Sequence, residues 1–333
     1  MRYPRPGATR ERGIAIVTAL LVVALVAALA ASVVWRELVA VRDVSNQRLN
    51  TEMMWVERAA VEWARAALRE QAATSNVAFY GQQWSSPVRD VQLADFLPRE
   101  AIAVNGDLAD AYISGQVEDA QAKFNVMDLV SRPGPSQPYQ VDGSGVLAYR
   151  RLLSDLSLSP ALAQTTADYI LLSRGIGGGE SWPLQLVSVE DLVRVPGYDK
   201  DTVRILSNFV TVLPDYTLVN ANTAPAPALV AAIPALSDEQ AQMLTQRRST
   251  AYFNSAMDIA LVLAPVLTAG STSATTTTGL PSGALAGVNS GYFIVHCRIH
   301  SARINTRIDT LIARYGIGDF SWTSVIWVHR LAS

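Results

Sequence analysis

The chain has 333 residues, of which 50% are hydrophobic and 17% charged, and its net charge is −2. That length exceeds one ordinary small domain, and the balance of charge lacks the basic excess that draws a protein to nucleic acid. A single cysteine, Cys297, excludes a disulfide framework within the chain; in the strand-like run Tyr292–His300 it reads as a small buried apolar side chain.

The N-terminus sets the compartment. Arg2, Arg5, Arg10 and Arg12 stand against a lone Glu11, and residues 14–35 then contain no charge, glycine or proline. As a helix this run is about 33 Å long, enough to cross a bilayer core. Arginines ahead of the span keep the N-terminus in the cytoplasm and send the remainder outward, in a single pass. A secretory signal peptide cut near Ala28, Ala30 or Ala31 competes with this reading, but its apolar core would be shorter. Neither glycine nor proline occurs between Ile14 and Tyr80. Past Trp35 the pattern turns amphipathic: Leu38, Val41, Ser45, Leu49, Met53, Val56, Ala60, Trp63 and Ala67 recur at the helical period. One helix over about 14–71 is expected, the first half in lipid and the second laying this stripe on a globular domain.

A basic leader ending in Gly13, followed by an apolar helix opening Ile14-Ala15-Ile16-Val17-Thr18, resembles a type IV prepilin. The resemblance implies cleavage after Gly13 by the prepilin peptidase and N-methylation of Ile14. Loss of the leader, with four arginines and one glutamate, would take the charge from −2 to −5. Most pilins carry glutamate at the fifth mature position, where this chain has Thr18. A carboxylate in the bilayer is costly unless a cation pairs with it, and in pilins its partner is taken to be the terminal amine of a neighbouring subunit. A subunit without it fits the tip of a filament, as in the K-type minor pseudopilins of type II secretion.

Residues 71–111 read as irregular, with Gly81, Pro87, Pro98 and Gly106 as breakers. Residues 111–130 read as strand, turn and short helix. Here Gly115-Gln116-Val117-Glu118-Asp119 and Lys123-Phe124-Asn125-Val126 are similar to a K-type signature, from which Met127-Asp128 departs. Residues 131–145, rich in Pro and Gly, read as a domain junction. A helical pattern then runs to about Leu263. Ser159-Pro160 predicts a helix start, and Ser188-Val189-Glu190-Asp191 and Ser237-Asp238-Glu239-Gln240 predict capping boxes. Leu192-Val193-Arg194-Val195-Pro196-Gly197-Tyr198, leading to Val203 and Leu206, looks like a helix–hairpin–helix unit. A second half-match, residues 229–244, lacks the hairpin glycine. Between them, Leu218-Val219-Asn220-Ala221-Asn222-Thr223-Ala224-Pro225 resembles the run that joins the two helical units of K-type pseudopilins.

Residues 268–290 are rich in Ser, Thr, Gly and Ala and read as a linker. Strands return at Tyr292–His300, at 304–312 with alternation of Ile304, Thr306, Ile308 and Thr310 against Arg303, Asn305, Arg307 and Asp309, and at 320–330 after a turn at Gly316-Ile317-Gly318-Asp319. The fold class is therefore α+β: a long N-terminal transmembrane and amphipathic helix, and an antiparallel sheet, pilin-like by resemblance, interrupted by a mostly α-helical domain with helix–hairpin–helix-like units. The division is leader 1–13, helix 14–71 with its span at 14–35, sheet domain 72–145 and 268–333, and helical insert 146–267.

No catalytic signature is present, and no enzyme is expected. His296 and His300 share a strand face about 13 Å apart, too far for one metal, and His329 could approach one of them; all three read as surface histidines. Gly175-Ile176-Gly177-Gly178-Gly179 is followed by Glu180 where a phosphate loop wants lysine. Some K-type relatives hold calcium in the helical domain. The matching segments here, 168–173 and 179–181, lack two of the expected carboxylates, calcium needs six to eight oxygens, and no cofactor is carried over. The resemblance implies I-type and J-type minor pseudopilins, the prepilin peptidase, and the secretin or exported cargo as partners, with the chain in the bacterial inner membrane and its C-terminal part in the periplasm. An alternative is a signal-anchored periplasmic protein holding DNA with its hairpins. Such hairpins need glycines and nearby cations, and this one offers Gly197 with Arg194, Lys200 and Arg204.

Overall fold

The computed structural model describes residues 11–96, 110–134, 136–175, 182–267, 279–302 and 305–331. Outside them lie the leader arginines up to Arg10, Pro98, Gly106, Pro135, the glycine-rich and second calcium-like stretch 176–181, the Ser/Thr run 268–278, and Arg303 and Ile304.

Helix α1 (Glu11–Thr74) is continuous over 64 residues, as the missing helix breakers require. The chain divides into two compact units between Ala59 and Ala60. In the first, every residue from 15 to 48 is exposed, including Leu20, Leu21, Leu29 and Trp35. Among the described residues this is the one helix long and apolar enough to cross a membrane.

The second unit is built on a five-stranded antiparallel sheet: β1 (Val88–Gln92), β2 (Tyr112–Asp119), β3 (Tyr292–His300), β4 (Asn305–Tyr315) and β5 (Trp322–Leu331), in that spatial order. The meander β3–β4–β5 is where the period-two pattern put it. Strand β1 lies in the stretch read as irregular: it is short, bulged between Val88 and Val91, and carries Asp90 at φ 45°, so no alternation marks it. β2 and β3 are neighbours from Tyr112↔His300 to Asp119↔Phe293, and everything between them in sequence leaves and returns at one end of that pair.

One face of the sheet packs on the last turns of α1. Val61, Ala64 and Leu68 meet Trp84, Val117, Phe293, Val295 and Ile312, with Trp84 edge-on to Phe293 at 5.2 Å between centroids. Of the expected stripe, Met53 and Ala67 are buried and Val56 and Ala60 half-buried, but Trp63 is exposed and Ala64, with Leu68, is buried instead. Small Ala64 lets the helix come close where an indole would hold it off. Arg65 fastens the same turns to β5, donating to Thr323 Oγ1 at 3.0 Å and to Thr323 O at 2.8 Å.

The insert holds α2 (Gly143–Asp155), α3 (Leu162–Ser173), α4 (Lys200–Leu206), α5 (Ala226–Ala232), α6 (Asp238–Thr250) and α7 (Ala256–Leu267). Its core gathers Phe124, Leu129, Tyr149, Leu152, Ile170 and Leu192. Both capping motifs form: Asp191 Oδ2 accepts from Ser188 N at 3.0 Å, and Gln240 Oε1 from Ser237 N at 2.9 Å. Ser159 is not the cap of α3. That helix starts at Leu162 with Ala161 at the cap position and no side-chain cap bond, because Ser159-Pro160 forms a turn closed by Leu162 N on Ser159 O. The hairpins correspond: Gly197 has φ +95°, and Ala235, after Pro234 in the half-match without glycine, has φ +61°. The second unit keeps the left-handed bend and accepts the Cβ penalty.

Candidate functional site

The processing positions Gly13 and Ile14 lie within the backbone of α1. One turn on, Thr18 Oγ1 donates to Ala15 O at 3.0 Å, so the hydroxyl at the fifth position past Gly13 is satisfied by its own helix, as a polar group in lipid must be.

In the second unit the signature residues converge where the insert leaves and rejoins the sheet. Asp119, fully buried, ends β2. Its Oδ2 accepts from Asn220 Nδ2 at 2.8 Å, Thr223 Oγ1 at 2.6 Å and Ser290 Oγ at 2.6 Å, and its Oδ1 from Gln121 N at 2.9 Å. Burial pushes this carboxyl up, against the pull of those donors. Asn220 Nδ2 also donates to Ala78 O at 2.9 Å. Asn222 closes a reciprocal pair with Phe253, accepting from its N at 2.7 Å and donating to its O at 2.9 Å. Arg248 caps the same turn, donating to Ala221 O and Ala224 O. The Asn-x-Asn-Thr run is therefore a clasp of polar side chains on buried backbone.

Asn125 forms a second clasp. Its Oδ1 accepts from Met127 N at 3.1 Å and Leu213 N at 3.0 Å, while its Nδ2 donates to Asp128 Oδ1 at 3.0 Å and to Asp215 O at 2.9 Å. Asp128, at the departure from the signature, also accepts from Thr217 N at 3.0 Å, and burial lifts its carboxyl well above the usual range. A Cβ on Gly145 would sit 2.1 Å from Asp128 O, so the start of α2 approaches that turn as only glycine allows.

The sheet face turned away from α1 carries the third cluster. His296 Nδ1 lies 2.7 Å from Asp309 Oδ1 and its Nε2 lies 2.9 Å from Glu118 Oε2; Lys123 Nζ is 2.7 Å from Glu118 Oε1. Burial alone would push His296 down, but the hydrogen bonds and charges of Asp309 and Glu118 outweigh it and lift the imidazole to about 9. For Glu118 burial works upward, and His296 and Lys123 overcome it to bring the carboxyl to about 2. His296 is thus a sandwiched imidazolium rather than a plain surface histidine. Its partners lie on β2 and β4, and sequence names them only once the register is known. His300 stacks on Tyr112 and His329 on Trp327; in register His329 lies across Asp309 from His296, two strands away at about 10 Å. Among the described residues no cluster of three His, Cys, Asp or Glu could hold a metal. In the first calcium-like segment, Asp168 accepts from Gln164 Nε2.

At the hairpin two of the three cations offered for DNA are engaged by acids: Arg194 pairs with Asp191 at 2.8 Å and Arg204 with Asp201 at 2.9 Å. That arrangement does not favour phosphate binding.

Family models for "Type II secretion system (T2SS), protein K" match residues 122–215 and 219–278. These segments contain Asn125, Asp128 and the Asn220–Thr223 run. A Type II secretion system protein K from Pseudomonas aeruginosa PAO1 is 27% identical over 276 aligned residues, covering 74% of this chain and 75% of the relative. The fold matches a chain in the crystal structure of the GspK-GspI-GspJ complex from the enterotoxigenic Escherichia coli type 2 secretion system, with a TM-score of 0.63, 21% identity, and coverage of 87% of this chain and 99% of that one. The family models and the Pseudomonas aeruginosa relative agree, and on them the chain belongs to the protein K family of type II secretion, the minor pseudopilins, which are structural components rather than enzymes.

Proposed function

We propose that this minor pseudopilin sits at the tip of a periplasmic pseudopilus, where it helps initiate filament assembly and the export of folded proteins. The supporting observation is that the apolar helix carries, at the fifth position past Gly13, a Thr18 hydroxyl satisfied by its own backbone, with no carboxylate there to dock on a preceding subunit. The leader 1–13 is removed by the prepilin peptidase and Ile14 is N-methylated. Helix 14–71 then anchors the chain in the inner membrane by residues 14–35, with sheet domain 72–145 and 268–333 and insert 146–267 in the periplasm. Its partners are the I-type and J-type minor pseudopilins, a reading supported by the described composition of the structurally similar Escherichia coli complex, together with the secretin or exported cargo.

Mass spectrometry of the membrane fraction with and without the peptidase tests the processing. A chain beginning at N-methylated Ile14 only when the peptidase is present is expected; one beginning at Met1 or near residue 31 overturns it. For the tip position, a Thr18→Glu variant should enter the filament shaft more often than the parent, and equal incorporation would refute the role given to Thr18.

A further inference from the structure

The sheet face turned away from α1 carries a shallow trough of about 780 Å³ that crosses all five strands. Arg89 on β1, Arg298 on β3 and Arg307 on β4 line it, all exposed. Arg298 and Arg307 are direct cross-strand partners, which puts their Cβ atoms about 5 Å apart, and like charges so placed repel. Nearby acids offset that repulsion only in part. Glu118 is held by Lys123 and His296, and Asp309 by His296. Arg307 reaches Asp309 only at 3.9 Å, and Arg298 Nε makes a long 3.4 Å bond to Asn305 Oδ1. Two exposed arginines thus stand opposite each other on the central strands of a sheet, in a chain whose net charge is negative.

We propose that this trough docks an acidic, extended segment of a partner polypeptide, with one carboxylate between Arg298 and Arg307 and a second towards Arg89. The chemistry is complementary: guanidinium groups grip carboxylates through paired N–H donors, and arginine clusters are a recurrent means of reading acidic motifs. The spacing is also compatible. β1 and β3 are two strand spacings apart, about 10 Å. Same-side side chains of an extended segment recur every 7 Å or about that, and arginine side chains span the difference.

The test uses the full chain in nonionic detergent and a fluorescein-labelled peptide of alternating glutamate and serine, read by anisotropy at low salt. The parent should bind the peptide, binding should weaken with salt, and the Arg298→Gln/Arg307→Gln double variant should lose about tenfold or more in affinity. The double variant's urea midpoint should hold or rise, because a like-charge pair has been removed; if it falls, Arg89→Gln on the short edge strand supplies the affinity reading instead. Unchanged binding in the variant that remains folded overturns the proposal. So does equal binding of a lysine–serine peptide. Displacement of the glutamate peptide by phosphatidylglycerol vesicles at lower charge concentration would assign the trough to lipid headgroups and overturn it as well.

Discussion

Replacing Asp119 by alanine removes the acceptor for Asn220, Thr223, Ser290 and Gln121 N in a fully buried place. The donors fare differently. Asn220 Nδ2 keeps Ala78 O and Ser290 Oγ, and Thr223 Oγ1 keeps only a long 3.4 Å contact to Asn220 O. Gln121 N and the Ser290 hydroxyl proton are left with nothing. A buried orphaned polar group costs about 1–3 kcal/mol, and against two of these stands relief from burying a carboxylate, which burial disfavours enough to raise its pKa. The net loss should be about 2–4 kcal/mol. Asp119→Asn keeps the shape: its oxygen serves the three side-chain donors and its amide faces Gln121 N, so one bond is lost while the buried charge disappears, for about 1 kcal/mol or less. Urea unfolding of the full chain in nonionic detergent, followed by tryptophan fluorescence with Trp84 buried nearby in the helix–sheet core, reads both. The alanine variant should lose about 1 M in midpoint. An asparagine variant as damaged as the alanine one would mean that charge, not donor satisfaction, holds the clasp, and an alanine loss under about 0.5 kcal/mol would dismiss the clasp altogether.

The His296 sandwich makes stability depend on pH. His296 is raised to about 9, so its contribution is complete below the ordinary histidine value of about 6.5 and fades as pH climbs through 9; Glu118, held near 2, contributes above about 4.5 and loses it as pH falls towards 2. Allowing for the 28% exposure of the ring, about 1–2 kcal/mol should vanish between pH 6.5 and 9.5. His296→Ala should flatten that limb of the urea-midpoint profile, and an unchanged slope would refute it. At the hairpins the two bends should respond in opposite directions. Ala235→Gly relieves a left-handed alanine and should gain about 0.5–1 kcal/mol, whereas Gly197→Ala adds a Cβ at φ +95° that would lie 2.9 Å from Leu162 Cδ2 and should lose more than that. Thermal midpoints of the two variants moving the same way would show that the bends are not equivalent.

The parts legible in sequence were those written in local pattern. Absence of glycine and proline from 14 to 80 gives α1, the strand-like run 292–300 gives β3, alternation gives β4, and Ser-x-x-Asp and Ser-x-x-Gln give the capped turns at 188 and 237. What sequence hid depends on register or on distant partners. The stripe of α1 departs from the expected one at Trp63, because packing, not hydrophobicity, decides between Trp63 and Ala64. Glu118 and His296 lie 178 residues apart and meet only through the pairing of β2 with β3. Ser290, in a run read as linker, proved a member of the Asp119 clasp. The Asn220–Thr223 run was singled out by resemblance, and the structure supplies its physical reason: its amide and hydroxyl side chains satisfy a buried carboxylate and buried backbone.

The Asp119 clasp also has a mechanical meaning. The insert hangs from the sheet by two chain segments leaving adjacent strand ends at Asp119 and Phe293, and Ser290 on the returning segment is tied to Asp119 on the outgoing one, with Asn220 from the middle of the insert between them. A pull on the helical insert therefore meets three segments joined at one carboxylate, beside the Tyr292–Asp215 bond and the Leu213 contact that also tie insert to sheet. In a subunit pushed against a load, such a knot keeps head and sheet moving as one body.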